Sequence, residues 1–221
     1  MITAENISKK IDDLEILKKV SVTINKGEIV AIVGASGAGK TTLLQILGTL
    51  DLPSSLENTS LHINDTNVLA LNDKELAVFR NKNLGFIFQF HQLLPEFSAL
   101  ENVCIPAFVA GKSKKDAEKD AIELLTYLGL KDRIYHFPSE LSGGEQQRVA
   151  VARALINKPS VVFADEPSGN LDTQSAENLH NLFFSLRDKF GQTFVIVTHN
   201  DHLAELADRK LIMSDGKFLQ Q

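Results

Sequence analysis

The sequence has no tryptophan and a single cysteine, Cys104. One thiol closes no intrachain disulfide, so nothing here calls for an oxidising compartment, and the apolar neighbours Val103 and Ile105 mark that thiol as buried. Long apolar runs are also missing. No stretch approaches the roughly 18 residues needed to cross a bilayer, and the opening MITAENISKKIDD has no apolar secretion core, so a soluble, cytoplasmic chain is expected. There is no low-complexity tract and no internal repeat, which leaves out the fibrous and disordered classes. Positive charge is in deficit: 23 Lys and Arg against 28 Asp and Glu give a formal net charge of −5, a balance that argues against nucleic acid as a partner. The densest basic cluster, Lys112, Lys114, Lys115 and Lys119, is interleaved with Asp116, Glu118 and Asp120 and reads as a solvated helix face.

What is present suffices for one large α/β domain: 221 residues, 43% of them hydrophobic, bury a sizeable core. Short β-branched runs alternate with helical patterns, the signature of a mostly parallel sheet covered by helices. The clearest strands are Ile29 to Val33, Leu84 to Phe88, Val161 to Ala164 and Thr193 to Val197. Each ends at polar or glycine-rich residues, and in an open parallel sheet those ends line the ligand crevice. From Phe90 to Pro159 strand-like runs are lacking, and Asp116 to Leu128 is helical with Ala121, Leu124, Leu125 and Leu128 inward, so this segment reads as a helical insertion. Ser113 and Asp116 suggest a capping box there. Residues 210–213 and 218 onward, around Ser214-Asp215-Gly216-Lys217, read as a closing hairpin, and the stretch to Ile24 as similarly short strands.

The first strand runs into Gly34-Ala35-Ser36-Gly37-Ala38-Gly39-Lys40-Thr41, a G-x-x-x-x-G-K-[ST] pattern in the strand-to-helix context it requires. Small residues let backbone N–H groups turn inward around phosphate oxygens, and the helix start adds its positive end. Lys40 then holds the β and γ phosphates of a nucleoside triphosphate, and Thr41 ligates Mg²⁺. A second strand ends in Asp165-Glu166. Two acids at a buried strand end need a partner: Asp165 serves the Mg²⁺ shell through water, and Glu166 polarises the water that attacks the γ phosphate. His199 closes a third strand, placed to contact the γ phosphate and hold that water. Gln89 follows a fourth, its amide within reach of the Mg²⁺ or the water.

Leu141-Ser142-Gly143-Gly144-Glu145-Gln146-Gln147 opens another helical run. Ser142 and Glu145 form an S-x-x-E capping box, and the glycines leave N–H groups for an anion. One nucleotide does not need two such helix starts in one chain, so this one is expected to serve a nucleotide held elsewhere.

With these motifs, followed by Ser168-Gly169-Asn170-Leu171-Asp172, the sequence resembles the nucleotide-binding subunit of an ATP-binding-cassette (ABC) transporter over essentially its whole length. The resemblance implies a P-loop NTPase of RecA-like core over residues 1–89 and 160–221, with an N-terminal antiparallel β subdomain, and an inserted helical subdomain over 90–159, all in a single domain. It implies ATP and Mg²⁺ as ligands, Thr42 among the ATP-binding residues, and a homodimer that closes on ATP. Leu141, Ser142, Gly143, Gly144, Glu145 and Gln146 of one copy would then face the nucleotide of the other, with Asn170, Leu171 and Asp172 joining the two sites. Integral-membrane permease subunits are the implied partners, and the cytoplasmic face of the membrane the implied location. Residues 86–103 together with SGNLD resemble the branch that powers lipoprotein release from bacterial inner membranes, with macrolide or peptide efflux and cell-division cassettes as alternatives. Two positions depart from the pattern: Ile11 stands where an aromatic residue usually stacks on adenine, and Ser168 where threonine is common.

Overall fold

The computed structural model describes residues 1–219. Along the chain its elements are β1 (Ile2–Ile11), β2 (Leu14–Ile24), β3 (Ile29–Val33), α1 (Lys40–Leu47), β4 (Ser60–Ile63), β5 (Thr66–Asn67), α2 (Asp73–Asn83) and β6 (Leu84–Phe88). There follow α3 (Ala99–Val109), α4 (Lys114–Tyr127), α5 (Gly143–Leu155), β7 (Val161–Asp165), α6 (Thr173–Phe190), β8 (Thr193–Val197), α7 (Asp201–Leu206), β9 (Arg209–Ser214) and β10 (Lys217–Phe218).

A six-stranded sheet in the order β10-β9-β3-β8-β7-β6 carries the molecule. β9, β3, β8, β7 and β6 run parallel, and β10 turns back antiparallel as the closing hairpin. Every residue of β3 and β8 is buried. Their apolar runs are unbroken because both faces of the sheet are covered. On one face Ile29, Ile87, Val162, Ala164, Phe194 and Ile196 meet the inward sides of α3 to α6. On the other, Val30, Ile32, Val161, Phe163, Val195 and Val197 meet α1 and the N-terminal sheet. Successive residues of one strand thus feed two cores.

That second, antiparallel sheet has the order β2-β1-β4-β5. Its leading strands correct the expectation of short ones: β1 and β2 span 10 and 11 residues. Their pairing shifts register between Ala4 and Ile7, Ile7 and Lys9, and Lys9 and Lys10, with Asn6 at a φ of 55°. Each such bulge throws the inward alternation out of phase, so a long strand reads as fragments.

Between β6 and β7 the described residues contain no strand. α3, α4 and α5 pack through Val103, Cys104, Ala107, Ala117, Ala121, Leu125 and Val149, all completely buried. α4 begins at Lys114, capped by Ser113, whose Oγ accepts from Asp116 N. The expected reciprocal bond is not made. The Asp116 carboxylate accepts from the Ser113 hydroxyl at 2.6 Å instead, because aspartate is one methylene too short to reach back to the cap N–H. Boxes closed by glutamate, at Asn72/Glu75, Ser98/Glu101 and Ser142/Glu145, are complete. The basic cluster is a solvated face, with Lys114 and Glu118 3.7 Å apart and Lys112 and Asp120 3.0 Å apart. No helix among the described residues is long and apolar enough to cross a membrane.

Candidate nucleotide site

The loop leaving β3 is shaped by what it must pass. Gly34 has a φ of 149°, and a Cβ there would come within 2.0 Å of Met213 O on β9. Gly39 has a φ of 98°, and its Cβ would meet Ile16 O and Leu17 Cδ2 at 2.9 Å. Only glycine satisfies both the conformation and the close approach. α1 then starts with no side-chain cap and no acidic residue in its first turn, so the positive end of the helix is left for an anion. Lys40, only 6% exposed, lies along this loop and donates from Nζ to Gly34 O at 2.9 Å and Ala35 O at 3.0 Å.

Parallel registry brings the remaining groups to the same edge. Asp165 pairs with Val197, and Val197 with Ile32. Thr41 Oγ1 donates to Asp165 Oδ1 at 3.2 Å. Burial pushes the Asp165 carboxyl above the usual carboxylate range, opposed by the Thr41 bond and the Lys40 charge. A hydroxyl touching a desolvated carboxylate is the all-oxygen donor set that Mg²⁺ takes, so the residues fit the metal they were expected to hold.

Glu166 turns the chain out of β7 with a φ of 47°, a left-handed conformation that costs a residue with a Cβ about 1 kcal/mol or more. Backbone bonds hold it there: Glu166 N donates to Val197 O at 2.9 Å, and Gly169 N to Glu166 O at 3.0 Å. One carboxylate oxygen, Oε2, accepts from His199 N at 3.1 Å. The other, Oε1, lies 3.2 Å from His199 Nε2 but is not aligned for a hydrogen bond, and it is buried without a hydrogen-bond partner among the described residues. The His199 side chain is 57% exposed, facing outward over that carboxylate.

Gln89 follows β6, whose Phe88 pairs with Asp165. Its amide donates to Asn170 Oδ1 at 3.2 Å, and Asn170 Nδ2 returns a bond to Gln89 O, so here it grips the 168–172 turn rather than Thr41 or Asp165. Ile11 and Leu14 are paired at the tip of the β1–β2 hairpin and are both exposed. That hairpin continues into Ile16 and Leu17 against Gly39, which makes the pair an aliphatic shelf on the strand that borders the loop.

The second helix start is built differently from the first. Ser142 Oγ accepts from Glu145 N at 3.3 Å, and Glu145 Oε2 accepts from Ser142 N at 2.8 Å. That backbone bond, with Arg133 3.0 Å away, holds the Glu145 carboxyl below its usual range. Leu141 is buried, and Gln146 donates to Pro138 O and Leu141 O. These three residues brace the turn, while Ser142 and Gly143 stay exposed. Gly143 lies over Leu171, and a Cβ on Gly144 would press Ser175 Oγ at 3.1 Å, so the turn abuts Asn170–Asp172 of its own chain. Asp172 caps α6 by accepting from Ser175 N at 2.9 Å, and hydrogen bonding from the Ser175 side chain, then from its backbone, lowers its carboxyl pKa.

Two residues, one of them the last of the motif at 141–147, have contacts that the sequence did not disclose. Gln147, fully buried, donates to Pro167 O at 2.7 Å and Phe88 O at 3.4 Å and pairs through Oε1 with His91 Nδ1, tying α5 to the turn that carries Glu166. Its one local signal is a polar residue in the stripe shared with Ala150, Val151 and Ala154. The other is His180, whose Nε2 meets Ser168 Oγ at 3.0 Å.

A glycine loop on the strand-to-helix turn after β3, two acids at the end of β7 one strand further across the sheet and a second anion-type helix start define a class, and comparison with known proteins agrees. The profile of the ABC transporter family matches residues 17–169, and the chain belongs to that family. Within it, the chain is similar to the lipoprotein-releasing system ATP-binding protein LolD of Bacteroides thetaiotaomicron, 62% identical over 216 residues that cover 98% of each chain. The protein of the same name from Aquifex aeolicus is 50% identical over 217 residues, covering 98% of this chain and 95% of the relative. Among solved structures, the dimeric post-hydrolysis state of the ATP-binding cassette MJ0796 bound to ADP and Pi superposes with a TM-score of 0.89 at 36% identity, covering 100% of this chain and 97% of that one.

Proposed function

We propose that this chain is the ATP-hydrolysing subunit of a transporter that releases lipoproteins from the bacterial inner membrane, bound peripherally on the cytoplasmic face. Relatives of 49% to 62% identity that carry the lipoprotein-releasing name support the choice of that branch. Residues 34–42 cradle the triphosphate, Lys40 neutralises its β and γ oxygens, and Ile11 packs on the base. Thr41 and Asp165, with Gln89, would hold Mg²⁺, which when bound offsets the charge that builds on the transferred phosphoryl group. Glu166 orients and polarises the attacking water, and His199 keeps Glu166 and that water aligned.

Ser142, Gly143 and Gly144 of a second copy close over the γ phosphate, and residues 170–172 connect the paired sites. The helical lobe over 90–159 moves with closure. The exposed side chains of Phe90, Leu94, Phe97 and Val109 offer the permease a surface beside Gln89, so that closure is felt in the membrane.

The observation that carries this reading is Glu166, next in sequence to the Asp165 that meets Thr41: held off the strand at a φ of 47°, gripped at Oε2 by His199 N, and with a buried Oε1 that lies 3.2 Å from His199 Nε2 but has no hydrogen-bond partner among the described residues. Glu166→Gln is expected to lower phosphate release at least about 100-fold while ATP binding persists. Phosphate release at the parental rate would remove Glu166 from the chemistry.

A further inference from the structure

The turn from Glu166 to Asp172 is anchored from behind by a side chain that the hydrolytic scheme above leaves unused. Ser168 and His180 are 8% and 3% exposed, and Ser168 Oγ meets His180 Nε2 at 3.0 Å. The turn is otherwise held by short backbone bonds, from Gly169 N to Glu166 O and Leu171 N to Ser168 O, by the Gln89–Asn170 pair, and by Gln147 on Pro167 O. His180 is the side chain of α6 that returns to the turn from which that helix springs.

Its protonation state follows from the pairing. His180 Nδ1 is buried and has no partner among the described residues. A buried N–H left without an acceptor is rarer and costlier than an unused acceptor lone pair. The ring is therefore neutral, with its proton on Nε2 and donated to Ser168 Oγ. Burial and His202 hold its pKa below the ordinary histidine value, against a smaller opposing pull from Glu177.

Beside the bond lies a cavity of about 310 Å³ lined by Ser168, Leu171, Glu177, His180, Asn200 and His202. It separates the turn bearing Glu166 from the segment that follows His199. Packing does not fill this space, so on that side the backbone bonds of the turn are supplemented by the bond between the Ser168 side chain and His180.

We propose that His180 is a positioning residue for hydrolysis: by donating to Ser168 it fixes the 166–172 turn against α6, and so sets Glu166 opposite His199. This rests on the assignment of Glu166 as the residue that activates water. His180→Phe keeps a ring but loses the donor, and Ser168→Ala loses only the acceptor oxygen. Each is expected to lower kcat about tenfold, the effect one lost hydrogen bond has on a barrier, with KM for ATP within about twofold of the parent, the pattern of a contact that matters in the transition state.

The double variant is expected to lose no more than either single one, since both remove the same bond. His180→Gln, whose amide N–H reaches the same oxygen, is expected to recover most of kcat. Steady-state ATPase rates per ATP-binding site on the full chain, alongside Glu166→Gln, separate the outcomes. Parental kcat in Ser168→Ala and His180→Phe, or additive losses in the double variant, overturns the role of His180 while a silent Glu166→Gln keeps the scheme. A fully active Glu166→Gln removes the scheme itself. Should His180→Phe fail to fold, Ser168→Ala alone decides: a kcat loss at unchanged KM supports the bond, and parental kcat overturns it.

Discussion

Glu166 carries two opposed requirements in one residue. Its side chain needs a place at the strand edge, and its backbone needs a φ of 47° to get there, a conformation glycine adopts without cost. Glu166→Gly is therefore expected to be more stable than Glu166→Ala by about 1 kcal/mol in chemical denaturation, despite the greater freedom glycine adds to the unfolded chain, and both should be inactive. Asp165 shows the same tension in charge. Burial raises its folded-state pKa above the unfolded value of 3.8, so the stability it contributes is present below that value and lost as pH rises through the folded pKa. At pH 7 the ionised form opposes folding until a cation offsets it. Without divalent metal, Asp165→Asn is expected to melt no lower than the parent at pH 7, and to lose the rise in Tm that Mg²⁺ with ATP gives the parent. A large drop in the metal-free Tm of Asp165→Asn would contradict this. Cys104, with its thiol pushed up to about 11 by burial, is expected to resist alkylation at pH 8 in the native chain and to react once unfolded.

Among the elements, those buried on both faces were the most legible. The ends of β3, β6 and β8 coincide with their apolar runs, because a strand with two covered faces has no alternation to interrupt and stops where polarity begins. β1 and β2 were not, since bulges at Asn6 and beyond break the period that reveals a strand. The phosphate loop, the paired acids and the Ser142 turn could be read because each is a local pattern within one element boundary. Gln147 and His180 could not: their partners Pro167 and Ser168 lie 20 and 12 residues away on other elements, and no local pattern encodes such a pairing. The Ser142 turn caps α5 and is proposed also to offer an anion site, and one substitution separates the two roles. Aspartate caps a helix about as well as serine but brings a negative charge to the phosphate position. Ser142→Asp is thus expected to stay within about 0.5 kcal/mol of the parent in stability and to lose ATP turnover. Retained turnover would show that the turn does not meet phosphate.

At the scale of the molecule, the sheet edge gathers one set of groups, Lys40, Thr41, Asp165, Glu166 and His199, while Ser142 stands on the helical lobe, followed by Gly143 over Leu171 and Gly144 against Ser175. Solved structures similar to this chain include a dimeric cassette, and the proposal is that the two sets are half-sites that two copies complete for each other. The most direct measurement mixes two variants, each inactive alone: Lys40→Ala, which spoils the phosphate loop, and Ser142→Asp, which spoils the opposing turn. In the mixed dimer one composite site is intact and the other carries both defects. ATP turnover in the mixture well above the sum of the separate variants is the expected result; a mixture no more active than that sum would contradict the shared site.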